Sequence, residues 1–222
     1  MNSFGATIRD NKILFVFIII MLFGAGLGSL APRTDSFVWL NQHHTKSADR
    51  FLQYFTFLGD GFFSIAAGIV IFLIGRRIVG WHVTLAYFVS GLLAQVLKKI
   101  SMMPRPRALI TDGSYQYFID GVTHSGWNSF PSGHTTSVFA LATILSLHVK
   151  NPLLQVLFFL LATAVGYSRI YLGQHFLVDC LGGALIGILT GVMVYQYIAL
   201  PKAWRRKQAK FSKLARDQKH ES

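Results

Sequence analysis

Glutamate is almost missing from this chain. Glu221 is the only one among 222 residues, and aspartates bring the carboxylates to nine. Asp112 and Asp120 share a loop, and Asp35, Asp49 and Asp60 lie scattered elsewhere. A magnesium or calcium site needs gathered carboxylate oxygens, so this spacing argues against metal-assisted chemistry. Cysteine is scarcer still. Cys180 stands alone, which excludes an intramolecular disulfide, and it reads as a small core residue. Charge of either sign is sparse, at 14% of residues. A soluble domain keeps about a quarter of its residues charged, so a small soluble protein is excluded. No internal repeat or low-complexity stretch is visible.

Apolar residues fill the space instead, and they come in long charge-free runs. The runs are Ile13 to Leu30, Gly61 to Gly75, Ile78 to Leu97, Thr135 to Val149, Asn151 to Ser168 and Cys180 to Leu200. A helix of about 20 residues crosses the ~30 Å hydrocarbon core. The second and fourth runs are short, and each gains a turn if its helix begins near Phe57 or Ser132. The first run follows Arg9 and Lys12 and ends near the small residues Ser29 and Ala31, as a signal peptide does. It is long for a cleaved segment, and Pro32 would follow the cut, so a retained helix is expected. The predicted fold is all-α: a six-transmembrane-helix bundle over residues 1–200. The segment Ser36 to Phe57 mixes aromatic with charged residues and is expected to lie as a peripheral amphipathic segment on the outer membrane surface.

The net charge of +12 is unevenly placed, with eight Lys and Arg after Pro201. Residues 201–222 are expected to form a solvated basic cytoplasmic tail, attracted to anionic headgroups. No nucleic-acid-binding motif accompanies it. With the N-terminus in the cytoplasm, that side carries Arg9, Lys12, Arg76, Arg77, Lys150 and the eight tail cations. The outer side carries Arg33, Lys46, Arg50, Lys98, Lys99, Arg105, Arg107 and Arg169. The excess inside supports this orientation, and six spans return the C-terminus to the cytoplasm.

Three polar clusters then fall on the outer face. Lys98 ends the third run, and Arg105 follows within Pro104-Arg105-Pro106-Arg107, where two prolines stop the helix. By itself this suits a basic membrane edge with snorkelling side chains. Pro131-Ser132-Gly133-His134 precedes the fourth run. A helix N-terminus with a glycine lets backbone amides approach an anion, though a plain capped helix start explains Ser132 equally well. His175 and Asp179 stand four residues apart after Ser168-Arg169, and are expected to share one face of the sixth helix. A carboxylate at membrane depth is costly and has a partner, here an imidazole whose tautomer it fixes; a purely structural pair is the alternative. Together the clusters bring three cations, a helix N-terminus and two histidines to one pocket suited to phosphate. Two histidines beside three cations make a poor zinc site.

Lys98-x6-Arg105-Pro106, Pro131-Ser132-Gly133-His134 and Ser168-Arg169-x5-His175-x3-Asp179 resemble the three signature motifs of the type 2 phosphatidic acid phosphatase family, which also holds vanadium haloperoxidases. The motifs are intact and in order over residues 98–179. The resemblance implies that residues 1–200 are a six-helix membrane phosphatase domain. It also implies that His175 is a nucleophile forming a phosphohistidine, Asp179 its orienting partner and His134 the general acid. Lys98, Arg105 and Arg169, with Ser132 and the Gly133 amide, would bind the phosphoryl oxygens, with no metal and no cofactor. The partners implied are the lipid bilayer and a membrane lipid phosphate, and no nucleic acid. Undecaprenyl pyrophosphate, phosphatidic acid, phosphatidylglycerol phosphate and lipid A phosphates all fit, with family knowledge favouring the first or a broad specificity. The expected location is the cell (inner) membrane, multi-pass, with the site on the extracytoplasmic face and both termini cytoplasmic. A lipid phosphotransferase and a transporter are the alternatives, and the oligomeric state stays open.

Overall fold

The computed structural model describes residues 4–28 and 30–198. The basic tail expected over 201–222, Ser29 within the first run, and Ala199 and Leu200 at the end of the sixth lie outside the described residues. Among the described residues every regular element is a helix. In chain order these are α1 (Phe4–Asp10), α2 (Lys12–Gly28), α3 (Arg33–Leu40), α4 (Lys46–Phe55), a 3-10 turn (Thr56–Gly59), α5 (Gly61–Leu73), α6 (Arg77–Ser101), α7 (Pro106–Leu109), α8 (Gly133–His148), α9 (Pro152–Tyr171) and α10 (Leu177–Tyr197).

Three helical stretches are long and apolar enough to cross a membrane: Arg77–Leu109, Pro152–Tyr171 and Leu177–Tyr197. The number reaches five if each of two bent pairs forms one span; Lys46–Gly59 and Gly61–Leu73 make one such pair, bent by 54°. The early start expected for the second run therefore takes the form of a bend and not a longer straight helix. Ser132 caps α8 as expected, its hydroxyl oxygen accepting from the Thr135 amide at 3.4 Å.

α8 is the central helix, buried on nearly every side from Thr135 to Ile144. It lies close against α10 because α10 presents glycine at every fourth residue. A Cβ at Gly183 would fall 2.7 Å from the Ser132 carbonyl oxygen, and one at Gly187 would fall 2.8 Å from the Ala140 amide nitrogen. At Gly191 it would meet Thr143 Cβ at 2.9 Å. Such seams let helix backbones approach where lipid supplies no hydrophobic driving force between helices. The register is parallel, so the N-termini of α8 and α10 sit side by side. α9 runs back between them in sequence and delivers its C-terminus to the same end.

The Ser36 to Phe57 segment is not one continuous helix. It breaks at Asn41 into α3 and α4, because the Asn41 side chain turns inward and donates to the Ile170 carbonyl at 2.9 Å. Phe37 is fully buried against Tyr115 and Phe176. His44 stacks on Tyr171 at 4.1 Å and bonds Asp49 at 3.0 Å, tying the α3–α4 loop to the end of α9. This segment thus forms a wall at the end of the bundle where the three polar clusters meet.

Candidate active site

α6 ends at Ser101 because Met102 adopts the left-handed conformation and Pro104 follows. Lys98 therefore occupies the last turn of α6, and its ammonium donates to the Asn128 carbonyl at 2.6 Å. Pro106 opens α7 at its first position, where a missing amide costs nothing. Arg105 precedes it in extended conformation. Its Nε donates to Asn128 Oδ1 at 2.8 Å and its Nη1 to Gln174 Oε1 at 2.6 Å. Arg107 faces elsewhere and pairs with Asp120 at 2.8 Å.

The loop before α8 carries a cis Phe130–Pro131 peptide and the motif's serine and histidine. Ser132 is fully buried, its amide donating to the Asp179 carbonyl at 3.0 Å, so the second and third clusters are joined through backbone. His134 lies in the first turn of α8, about a third exposed, with Nε2 3.9 Å from Asp60 Oδ2. Arg169, in the last turn of α9, is nearly buried and donates from Nη1 to Thr56 Oγ1 at 2.8 Å.

His175 and Asp179 meet, but not as neighbours on one helical face. α10 begins only at Leu177, so His175 sits in the preceding loop. The Asp179 carboxylate folds back over the helix start, where Oδ2 accepts from the Phe176 amide at 2.9 Å, as acids three residues into a helix do. The same oxygen accepts from Ser129 Oγ at 2.5 Å and lies 3.6 Å from His175 Nδ1. Ser129 Oγ is 3.5 Å from that nitrogen as well. Burial holds the His175 imidazole down to about 4, against the opposing pull of Asp179. The ring is therefore neutral near pH 7, with a lone pair to offer.

Asn128 contacts both Lys98 and Arg105, the adjoining Ser129 reaches His175 and Asp179, and Lys98, Arg105, Arg169 and His175 are near enough to bear on His134, so these residues form one cluster. His134 and Arg169 line a cavity of about 350 Å³ together with Thr56, Tyr54, His124 and Gln174. Lys98, Arg105 and His175 are not among its lining residues. Among the described residues no three of His, Cys, Asp or Glu gather into a metal-binding group. Cys180 is buried, its thiol directed at the Gly166 carbonyl, in keeping with a core role.

A family model described as the PAP2 superfamily matches residues 79–202, more than half of the chain. The chain belongs to the PAP2 superfamily. This PAP2 chain is 29% identical over 135 residues to the "Bacitracin transport permease protein BcrC" of Bacillus licheniformis, covering 59% of this chain and 63% of that protein. It is 41% identical over 70 residues to a "Lipid A 1-phosphatase" of Porphyromonas gingivalis, covering 31% of this chain and 16% of that one. The chain thus spans less than two thirds of the length of these curated relatives. The crystal structure of Aquifex aeolicus LpxE superposes with a TM-score of 0.65 at 34% identity, covering 72% of this chain and 93% of that one.

Within this PAP2 site, five residues lie outside the set that the sequence motifs single out. Asn128 and Gln174 hold Arg105, Ser129 holds Asp179, Thr56 holds Arg169, and Asp60 faces His134. Ser129 and Gln174 each stand within three residues of a motif histidine or serine, and that proximity is the one signal that could have found them. Asp60 carries the signature of a helix cap, an acid just before an apolar run, and its side chain does accept from the Phe62 amide.

Proposed function

We propose that this protein is an integral membrane phosphatase that removes phosphate from a lipid monoester or pyrophosphate without a metal ion. The observation that carries the reading is the buried group His175, Asp179 and Ser129. Nδ1 of His175 faces Asp179 Oδ2 at 3.6 Å and Ser129 Oγ at 3.5 Å, which leaves Nε2 for a phosphorus atom. Neutrality near pH 7 supports the same role, since only the unprotonated nitrogen is nucleophilic.

In the first step the Nε2 lone pair forms a bond to phosphorus, and the bond to the lipid oxygen breaks. His134 gives its proton to the departing oxygen, a contribution of about 10²- to 10⁴-fold for a positioned acid. The phosphorylated ring is cationic, and Asp179 stabilises it from the Nδ1 side. In the second step water attacks phosphorus and passes a proton to His134. The nitrogen–phosphorus bond then breaks, and inorganic phosphate leaves. Lys98, Arg105 and Arg169, with Ser132 and the Gly133 amide, bind the phosphoryl oxygens and stabilise the charge that gathers there. Because Arg105 is held by Asn128 and Gln174 and Arg169 by Thr56, these cations need little reorganisation.

The site sits at one end of the bundle, where α6 and α9 end and α8 and α10 begin. The reading treats residues 1–200 as one six-span domain, with α2, α5, α6, α8, α9 and α10 as the spans, in the cell (inner) membrane. The site then faces the extracytoplasmic side, both termini and the basic tail over 201–222 lie in the cytoplasm, and α3 and α4 border the outer surface. The name of one relative, a lipid A 1-phosphatase, supports a lipid substrate. The test is phosphate release by purified protein in detergent with EDTA present, from undecaprenyl pyrophosphate, phosphatidic acid, phosphatidylglycerol phosphate and lipid A. Release from at least one is expected. Release that appears only after magnesium is restored would overturn the metal-free mechanism, and no release from any would overturn the reading.

A further inference from the structure

We propose that Asp60 is a positioning residue for His134, orienting its ring and offsetting the charge on its protonated form, so that the Thr56–Gly61 turn is a fourth element of the site. The inference rests on the reading of His134 as the general acid and extends it to a residue outside the three motifs.

The carboxylate is held in place. Oδ1 caps α5 by accepting from the Phe62 amide at 2.8 Å, which leaves Oδ2 pointing at His134 Nε2, 3.9 Å away. The backbone on either side is built for that approach. A Cβ at Gly59 would fall 2.9 Å from the His134 carbonyl oxygen and 2.7 Å from Val165 Cγ1, so only glycine lets the turn lie on the first turn of α8. A Cβ at Gly61 would collide with the Tyr87 hydroxyl. The same turn supplies Thr56, which accepts from Arg169 at 2.8 Å. One short turn therefore braces a phosphate-binding cation and the acid together.

Charge explains why the acid needs it. His134 faces Arg169 from α9, Arg105 from the loop before α7, Lys98 from α6 and His175 from the loop before α10. Three of these are cations, whose charge repels that of a protonated imidazole. The Asp60 carboxylate lies 3.9 Å from the His134 ring and also acts on Arg169.

The test compares kcat/KM on a lipid alkyl phosphate with that on p-nitrophenyl phosphate, whose phenolate leaves without a proton. Asp60→Asn keeps the cap and removes the charge. It should lose about tenfold or more on the alkyl substrate and about threefold or less on the aryl one, because only the former needs the acid. The alkaline limb of the alkyl profile should also move to lower pH. Equal losses on both substrates, or none, would overturn the proposal. Asp60→Ser, another good cap, is the second variant should the first fail to fold. His134→Ala separates the two levels. If it shows the alkyl-selective loss and Asp60→Asn does not, only the positioning role fails. If His134→Ala itself loses both substrates equally, the acid assignment fails and Asp60 with it.

Discussion

On the proposed mechanism two requirements meet at His175. A nucleophile must present a free lone pair, and the phosphorylated ring it would become must tolerate positive charge. Burial meets the first by keeping the ring neutral, and the Asp179 carboxylate at 3.6 Å meets the second. Asp179 is itself held by Ser129 and the Phe176 amide, so its position does not depend on the substrate. Asp179→Asn should therefore lower kcat by about 10²-fold or more while KM changes little, since the lost interaction strengthens only as charge develops. Steady-state kinetics on a lipid phosphate check this, and a rise in KM with kcat intact would contradict the orienting role. The motif residues themselves are legible in the amino-acid sequence, because a carboxylate and histidines in apolar surroundings stand out. Ser129, Asn128 and Gln174 are not, because a polar loop residue has no periodicity and its partner lies far along the chain.

At the level of elements, the site depends on how closely helices approach. The Gly183, Gly187 and Gly191 seam brings α10 onto α8 and sets the two N-termini side by side, which is what joins the second and third motifs. Gly187→Ala places its methyl group 2.8 Å from the Ala140 amide nitrogen and 2.9 Å from Phe139 Cβ, against backbone and a buried ring that cannot move aside. It should destabilise by about 1–3 kcal/mol, as overpacking does. Thermal unfolding in detergent should show the drop in Tm, and an unchanged Tm would mean the seam has slack. The helical runs are readable from hydropathy alone. The Asn41 break that divides the outer segment is not, because it follows from a single side chain reaching the Ile170 carbonyl. Nor is the true start of α10: the four-residue spacing suggests one helical face, whereas the pair meets through a helix-start contact.

Across the whole molecule, the arrangement separates two environments. Exposed Phe, Leu and Ile cover α2, α5 and α6, as lipid-facing helices require, while polar residues collect at one end. Cations gather there without nearby acids in number, which suits a phosphate dianion and not a metal ion. The proposed lipid would keep its tail in the bilayer and bring only its headgroup to the cluster. On the proposed mechanism this cluster works through a phosphohistidine on His175. The most direct measurement is a rapid alkaline quench of the protein with a lipid labelled in its terminal phosphate, followed by peptide mapping. Acid-labile, alkali-stable label is expected on the peptide holding His175, and none in His175→Ala. Phosphate release at the full rate with no label on that peptide, or full activity in His175→Ala, would contradict it.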